Sequence, residues 1–210
     1  YGKDGSVLQG QPSLVCLPVD TNEVRQIVEI CRRYERPFLA RGSGTGLAGG
    51  AVPVGDPVII ATAKMNQIIE VDLENRIAWV EPGVLNLDLT KELTPLGFHF
   101  APDPSSQQVC SIGGNVANNS GGPHCLAYGV TSAHVAAIEA VLPDGSVTVL
   151  GDLTPEPSGY DLRGLFVGSE GTMGVATKVA VRLTPNPPAI RTLLLDFPDV
   201  RDGAATVSAI

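Results

Sequence analysis

The sequence predicts an α+β fold, and three observations carry that reading. Two apolar strand pairs, 68–71 with 77–80 and 135–142 with 147–150, flank short polar turns and read as hairpins. A helix-period segment near the start is followed by two more apolar strands, so crossovers are mixed with hairpins, which fits α+β better than a doubly wound sheet. Three glycine-rich stretches, at 41–50, 111–122 and 168–174, each lie beside an apolar segment.

The elements follow in order. Asp20-Thr21-Asn22-Glu23 is a helix-start signal, and Val24, Ile27, Val28 and Cys31 then recur at helical spacing. Arg32, Arg33 and Arg36 suit the helix C-terminus, and Pro37 stops it. Phe38-Leu39-Ala40 reads as a short buried strand running into the first glycine loop, and 57–61 as another. The polar run 72–76 closes the first hairpin. Residues 86–96 read as a helix packing through Leu87, Leu89 and Leu93, with Gly97 ending it. Ala101-Pro102-Asp103-Pro104 is stiff, extended chain. Asp144-Gly145 is the strongest hairpin turn in the sequence. Residues 174–183 alternate as a strand, closed by Pro185-Asn186-Pro187-Pro188. Beyond that cluster, 192–197 reads as a new strand and 200–210 as a new helix, a segment expected to lack its sheet partners and to be mobile or packed on another molecule. This looks like the start of a second domain, so the chain reads as a piece of a longer protein.

Composition narrows the function classes. Hydrophobic residues make up 43% and charged residues 17% of the 210, which is globular rather than disordered. Net charge is −8 and no basic cluster occurs, which argues against nucleic-acid binding. Cys16, Cys31, Cys110 and Cys125 form no C-x-x-C pair, so a zinc or iron–sulfur site is unsupported. His99, His124 and His134 lack metal-ligand spacing. No apolar run is long enough for a membrane span, and no signal-peptide pattern opens the chain. A cytoplasmic location is expected, peripheral to a membrane only through partners.

The glycine stretches carry the functional signal. Gly44-x-Gly46-x-x-Gly49 matches the dinucleotide G-x-G-x-x-G pattern literally. A Rossmann loop must open a helix, however, and Gly49-Gly50-Ala51-Val52-Pro53 is poor helix sequence. No Gly-Lys-Ser/Thr follows, so a P-loop fails too. Taken alone, any one loop is also consistent with a tight turn. Together they suggest one extended phosphorylated ligand held by main-chain donors. Residues 42–46 offer successive N–H groups plus the Ser43 and Thr45 hydroxyls, a nest that binds an anion without lysine. Ser111 to Ala117 reads as a turn entering a helix whose first N–H groups would be open to a ligand oxygen. Arg41 and Glu170 are charges within the loops, either contacting a cofactor or bracing the chain.

The ordered set of 41–50, Pro102-Asp103-Pro104, 111–122, Tyr128-Gly129-Val130-Thr131 and 168–174 resembles the PCMH-type FAD-binding domain of the vanillyl-alcohol oxidase superfamily. The stretch Asn119-Ser120-Gly121-Gly122-Pro123-His124-Cys125-Leu126-Ala127-Tyr128-Gly129 is similar to the glycolate oxidase flavoprotein-subunit branch and its D-2-hydroxyacid dehydrogenase relatives. The resemblance covers nearly the whole chain.

It implies a domain over 1–190 made of two α+β lobes, about 1–102 and 103–190, with FAD between them, and the start of a cap domain at 191–210. It places the pyrophosphate on Gly42, Ser43, Gly44, Thr45, Gly46 and Leu47, beside Arg41. Ser111, Ile112, Gly113, Gly114, Asn115, Asn118, Gly121 and Gly122 would follow the flavin and ribityl side, with Pro102, Asp103, Tyr128 and Gly129 nearby. Glu170, Gly171, Gly174, Val175 and Thr177 would complete the pocket. Some relatives attach flavin to histidine, which makes His124 a remote candidate; non-covalent FAD is the expectation.

The implied activity is oxidation of a D-2-hydroxyacid, glycolate first and D-lactate or D-2-hydroxyglutarate as alternatives, with electrons passed to a partner subunit or a quinone-linked acceptor. A non-catalytic FAD or nucleotide module is the rival from another class. No catalytic residue and no metal ligand is expected within the chain, because the resemblance assigns substrate binding to the cap.

Overall fold

The structure is a computed structural model and describes residues 1–154 and 159–210. Residues 155–158 of the expected second lobe lie outside the described residues.

The first sheet is parallel and three-stranded. Strands β1 (Leu14–Cys16) and β2 (Phe38–Arg41) flank β3 (Val58–Ala61), and the helix α1 (Thr21–Arg33) crosses over between β1 and β2. Local chemistry sets the ends of α1. The Asp20 side chain accepts the Glu23 N–H at 2.8 Å, while Glu23 Oε2 accepts the Val19 N–H at 2.9 Å. Arg32 and Arg33 occupy the last turn, where cations complement the helix dipole.

The second sheet is antiparallel. It is built from β4 (Ile68–Asp72), β5 (Ile77–Val80), then β7 (Val135–Val141), β8 (Val147–Gly151) and β9 (Val175–Arg182), in the spatial order β4-β5-β9-β7-β8. Between its strands in sequence come α2 (Asn86–Leu93), the short β6 (Phe98–His99), α3 (Ile112–Asn118), α4 (Cys125–Tyr128) and α5 (Leu162–Phe166). A two-residue strand, β10 (Thr184–Pro185), pairs with β6. The chain closes with α6 (Val200–Ala209).

Both faces of the large sheet are covered. On one, Leu89, Leu93, Ile112 and Val116 pack on Val80, Ile138, Val179 and Val181. On the other, Val24 and Val28 of α1 meet Ile60, Met65, Val141 and Val175. This explains why β7 is an almost unbroken apolar run, as a strand buried on both sides requires. It also ties the two sheets through α1. The Thr21 hydroxyl donates to Glu139 Oε1 at 2.7 Å, and Glu139 also receives Thr177 and Lys178.

Most expected elements are present, with two differences. The lobe boundary does not fall near 102, because β4 and β5 pair into the large sheet through β5–β9; the chain changes sheet between 61 and 68. The helix expected at 86–96 is α-helical to Leu93 and finishes as a 3-10 turn, Thr94–Leu96, stopped by Gly97 at φ 87°. Residues 192–197, expected to lack sheet partners, pair with nothing among the described residues, and Leu193, Leu194 and Leu195 are exposed.

Candidate functional site

A cleft of about 480 Å³ opens where the two sheets meet, and all three glycine stretches line it. The first contributes Arg41, Gly42, Ser43, Gly44, Thr45, Gly46 and Leu47 as the chain leaves β2. The second contributes Ser111, Gly113, Gly114, Asn115 and Asn118 from α3 and its cap. The third contributes Glu170, Gly171, Gly174 and Val175 at the start of β9. The walls are close: a Cβ on Gly42 would lie 2.6 Å from Ser111 Oγ.

The first loop is not followed by a helix. Gly44 takes φ 72°, a conformation that costs an L side chain about 1–2 kcal/mol. Among the described residues, the N–H groups of Ser43, Gly44, Thr45, Gly46 and Leu47 donate to no protein acceptor. A run of unused donors on a cleft wall is an anion-binding surface.

Arg41 lies beneath this loop and is 8% exposed. Its guanidinium donates to the carbonyls of Ala51 and Lys3, both at 2.8 Å, and to that of Tyr1 at 3.5 Å, with Cζ 5.6 Å from the Tyr1 ring centre. Burial lowers its pKa, against the opposing pull of Asp4 and Tyr1. Three of its five N–H donors are thus directed to carbonyl oxygens, an arrangement that braces the chain, while Arg41 also lines the cleft. Glu170 is exposed at the cleft, with φ 53°.

The α3 N-terminus departs from expectation. Its first N–H groups are not open to a ligand: Ile112 donates to Val84 O, Gly113 to Pro82 O and Gly114 to Ser111 Oγ. The chain entering α2 has taken them, so α3 forms a wall rather than an anion cradle. Asn115 is held on that wall, 1% exposed, by Asn86.

Eight expected residues stand outside the cleft lining. Ile112 is fully buried in the main core. Thr177 is also buried, and its hydroxyl donates to Glu139 O and Oε1. Pro102 is buried and its carbonyl accepts from Asn86. Gly122 packs directly on the Asp103 backbone, and Gly121 on Cys125 and Val130. Tyr128 meets His99 edge-on at 5.9 Å, its carbonyl receives His134 Nε2 at 2.8 Å, and Gly129 caps the turn after it. Asp103, Gly121, Gly122, Tyr128 and Gly129 thus form a packed corner next to Ser105, Ser106 and Ser120, which do line the cleft. His124 is largely exposed and its Nδ1 lies 2.5 Å from Asp103 Oδ2.

Sequence reasoning missed Asp4, Thr62, Pro82, Ser105, Ser106 and Ser169. Ser169 lies inside the third glycine stretch and was findable there. Ser105 and Ser106 directly follow the Pro-Asp-Pro segment. Asp4 had no local signal. Among the described residues, no group of three or more His, Cys, Asp or Glu could hold a metal, and no helix is long and apolar enough to cross a membrane.

Fold and cleft define a cofactor-binding domain of two sheets with its site at their junction. A family model described as an FAD binding domain matches residues 12–151, and the chain belongs to that family. It is 43% identical over 211 residues to glycolate oxidase subunit GlcD of Escherichia coli (strain K12), covering 100% of this chain and 42% of that protein. It is 36% identical over 208 residues to a D-lactate dehydrogenase of Anaerostipes hadrus, covering 99% of this chain and 42% of that one. Among solved structures, an alkyldihydroxyacetonephosphate synthase superposes with a TM-score of 0.73 at 27% identity, over 83% of this chain and 32% of its own. The chain thus spans about two fifths of the length of the two curated relatives.

The domain's cofactor is FAD, and the residues present fit it. The unused donors at 43–47 suit a pyrophosphate in a cleft that no lysine lines among the described residues. Among the described residues the buried Oγ of Ser169, a residue that lines the cleft, has no hydrogen-bond partner, so a ligand's polar atom would satisfy it. Val116, Phe166, Val175 and Ala176 supply apolar wall for a ring system.

Proposed function

We propose that this chain is the FAD-binding part of a flavin-dependent oxidoreductase that converts a D-2-hydroxyacid, glycolate first, to the 2-oxoacid. The observation that carries the FAD part is the row of unused N–H groups at 43–47 in a cleft also lined by α3 and Ser169. Support for the substrate class comes from the identity to the glycolate oxidase subunit. D-lactate is the second choice, favoured by the D-lactate dehydrogenase relative, and D-2-hydroxyglutarate the third.

Bound FAD supplies two-electron acceptance from the substrate α-carbon; the protein's share is binding, orientation and electrostatics. The first loop holds the pyrophosphate through main-chain donors that need no rearrangement. Arg41 keeps that loop's backbone in place from below, and Asn115, fixed by Asn86, keeps α3 at the opposite wall. The corner of Asp103, Gly121, Gly122, Tyr128 and Gly129 borders the cleft next to Ser105 and Ser120, and we place the flavin end of the cofactor toward it. Glu170, Gly171 and Gly174 close the remaining side. FAD is held non-covalently, since His124 is turned to Asp103 at the surface.

Substrate selection and proton abstraction belong to residues outside this chain. Residues 191–210 are read as the first part of a substrate-binding cap, and their exposed leucines as surface that the cap covers. Electrons leave for partner subunits, and the protein works in the cytoplasm, peripheral to a membrane only through such partners. The deciding experiment is the absorbance spectrum of the purified chain with added FAD. A protein-bound flavin spectrum and a raised melting temperature are expected; a colourless protein unaffected by FAD would refute the reading.

A further inference from the structure

We infer that the first ten residues form a strap that presets the first glycine loop for phosphate, with Asp4 as its positioning residue. The inference rests on the FAD reading and adds to it a part of the chain that carries no glycine-loop signal.

The strap and the loop are joined by main-chain groups. Gly5 N–H donates to Gly46 O at 2.9 Å, and Asp4 Oδ2 accepts the Gly49 N–H at 3.0 Å. From below, Arg41 binds Lys3 O on the strap and Ala51 O on the loop with one guanidinium. The strap is closed on itself, since Gly10 N–H donates to Gly2 O at 2.8 Å and Lys3 bridges to Gln9. Asp4 also accepts the N–H and hydroxyl of Ser6, at 2.8 and 2.6 Å, which fixes its carboxylate.

The consequence follows from peptide geometry. In a trans peptide the C=O of one residue and the N–H of the next point in opposite directions. Drawing Gly46 O onto Gly5 therefore turns the Leu47 N–H away from the strap. The same contact removes a carbonyl oxygen from the surroundings of an incoming phosphate. Holding Gly49 N–H on Asp4 anchors the far end of the loop and the pairing of Arg41 in β2 with Ala61 anchors the near end, so the donors at 43–47 sit between two fixed points. Preorganised donors bind more tightly than donors that must first be ordered. Asp4 lines the cleft, yet its oxygens are occupied by three donors and Arg41 lies nearby.

The test is FAD titration of the flavin-free full chain by flavin fluorescence, for wild type, Asp4→Ala and Asp4→Asn, with the melting temperature of each flavin-free protein. Asp4→Ala is expected to raise the FAD Kd about tenfold, the worth of a hydrogen bond to a charged group. Its flavin-free melting temperature should stay close to wild type. Asp4→Asn, which keeps an acceptor for Gly49 N–H, should recover most of the affinity. Wild-type affinity in Asp4→Ala overturns the strap and leaves the FAD reading standing. Equal losses in both variants, matched by a lowered flavin-free melting temperature, reduce Asp4 to a structural residue and overturn its positioning role. Wild type that binds no FAD removes the FAD reading and the strap with it. Should Asp4→Ala not fold, Gly5→Ala gives the same reading. Its Cβ would sit 3.0 Å from Thr45 O and 3.1 Å from Gly46 O, pushing the strap off the loop, and FAD affinity should fall likewise. Unchanged affinity there overturns the proposal.

Discussion

Asn86 Nδ2 donates to Asn115 Oδ1 at 2.9 Å, and both side chains are 1% exposed. The same Asn86 nitrogen reaches Pro102 O at 2.9 Å, and Asn115 Nδ2 reaches Cys110 Sγ at 3.4 Å. One buried amide pair thus joins the start of α2, the extended Pro-Asp-Pro segment and the cleft wall of α3. Asn115→Leu strands the polar groups that Asn115 satisfied, so a loss of about 1–3 kcal/mol in unfolding free energy is expected. Urea denaturation of the flavin-free protein measures it, and FAD affinity should fall as well because Asn115 lines the cleft.

Gly44→Val should abolish flavin retention while leaving the chain folded. The φ of 72° is unfavourable for valine, and a Cβ there runs into the Arg41 guanidinium. Absorbance after gel filtration reads retention and circular dichroism reads the fold. Retained flavin would show that this loop is not the phosphate cradle.

Glu139 should make stability fall on acidification. Its carboxylate is desolvated, which raises the pKa, but the hydrogen bonds from Thr21, Lys178 and Thr177 outweigh this and hold it below the ordinary 4.5. A group with a lowered folded pKa stabilises the fold above its unfolded value and loses that contribution as pH drops through the folded one. Melting temperature should therefore decline below about pH 4.5, and Glu139→Gln should be less stable at neutral pH with a flatter acid decline. Parallel pH curves for the two proteins would remove Glu139 as the cause.

Excess FAD should stabilise the chain. At a hundredfold excess over Kd, binding to the folded state alone contributes about 2.7 kcal/mol. After acid precipitation the flavin should remain in the supernatant; colour in the pellet would mean a covalent bond and return attention to His124.

The isolated chain should reduce no dye with glycolate or D-lactate, even when loaded with FAD. Turnover with either acid would place the substrate-handling groups within these 210 residues and contradict the assignment of substrate selection to a cap.

Much of the fold was legible because its signals are local. Asp20 and Glu23 cap α1 from within a few residues, Asp144-Gly145 turns the β7–β8 hairpin, and Gly97 stops the helix before it. The glycine stretches were legible as cofactor loops because glycine marks close approach wherever it occurs in an ordered set. Residues 192–197 were expected to lack sheet partners, and an apolar run becomes a strand only where a neighbouring edge exists to pair with it.

By itself, then, the sequence determined the α+β class, the two hairpins, the main helices α1 and α2 and an extended phosphorylated cofactor as ligand, but not β1, β6, α4, α5 or β10. Only the tertiary structure decided which sheet claims β4 and β5, that Pro82 and Val84 take the first two α3 donors, that the Arg41 guanidinium reaches the carbonyls of Lys3 and Ala51, and that Asp4 reaches Gly49 across the chain. The reason is one of range. Caps, turns and periodicity are fixed by neighbours along the chain, whereas strand partners and the fate of each buried donor depend on which distant groups packing brings within 3 Å or so.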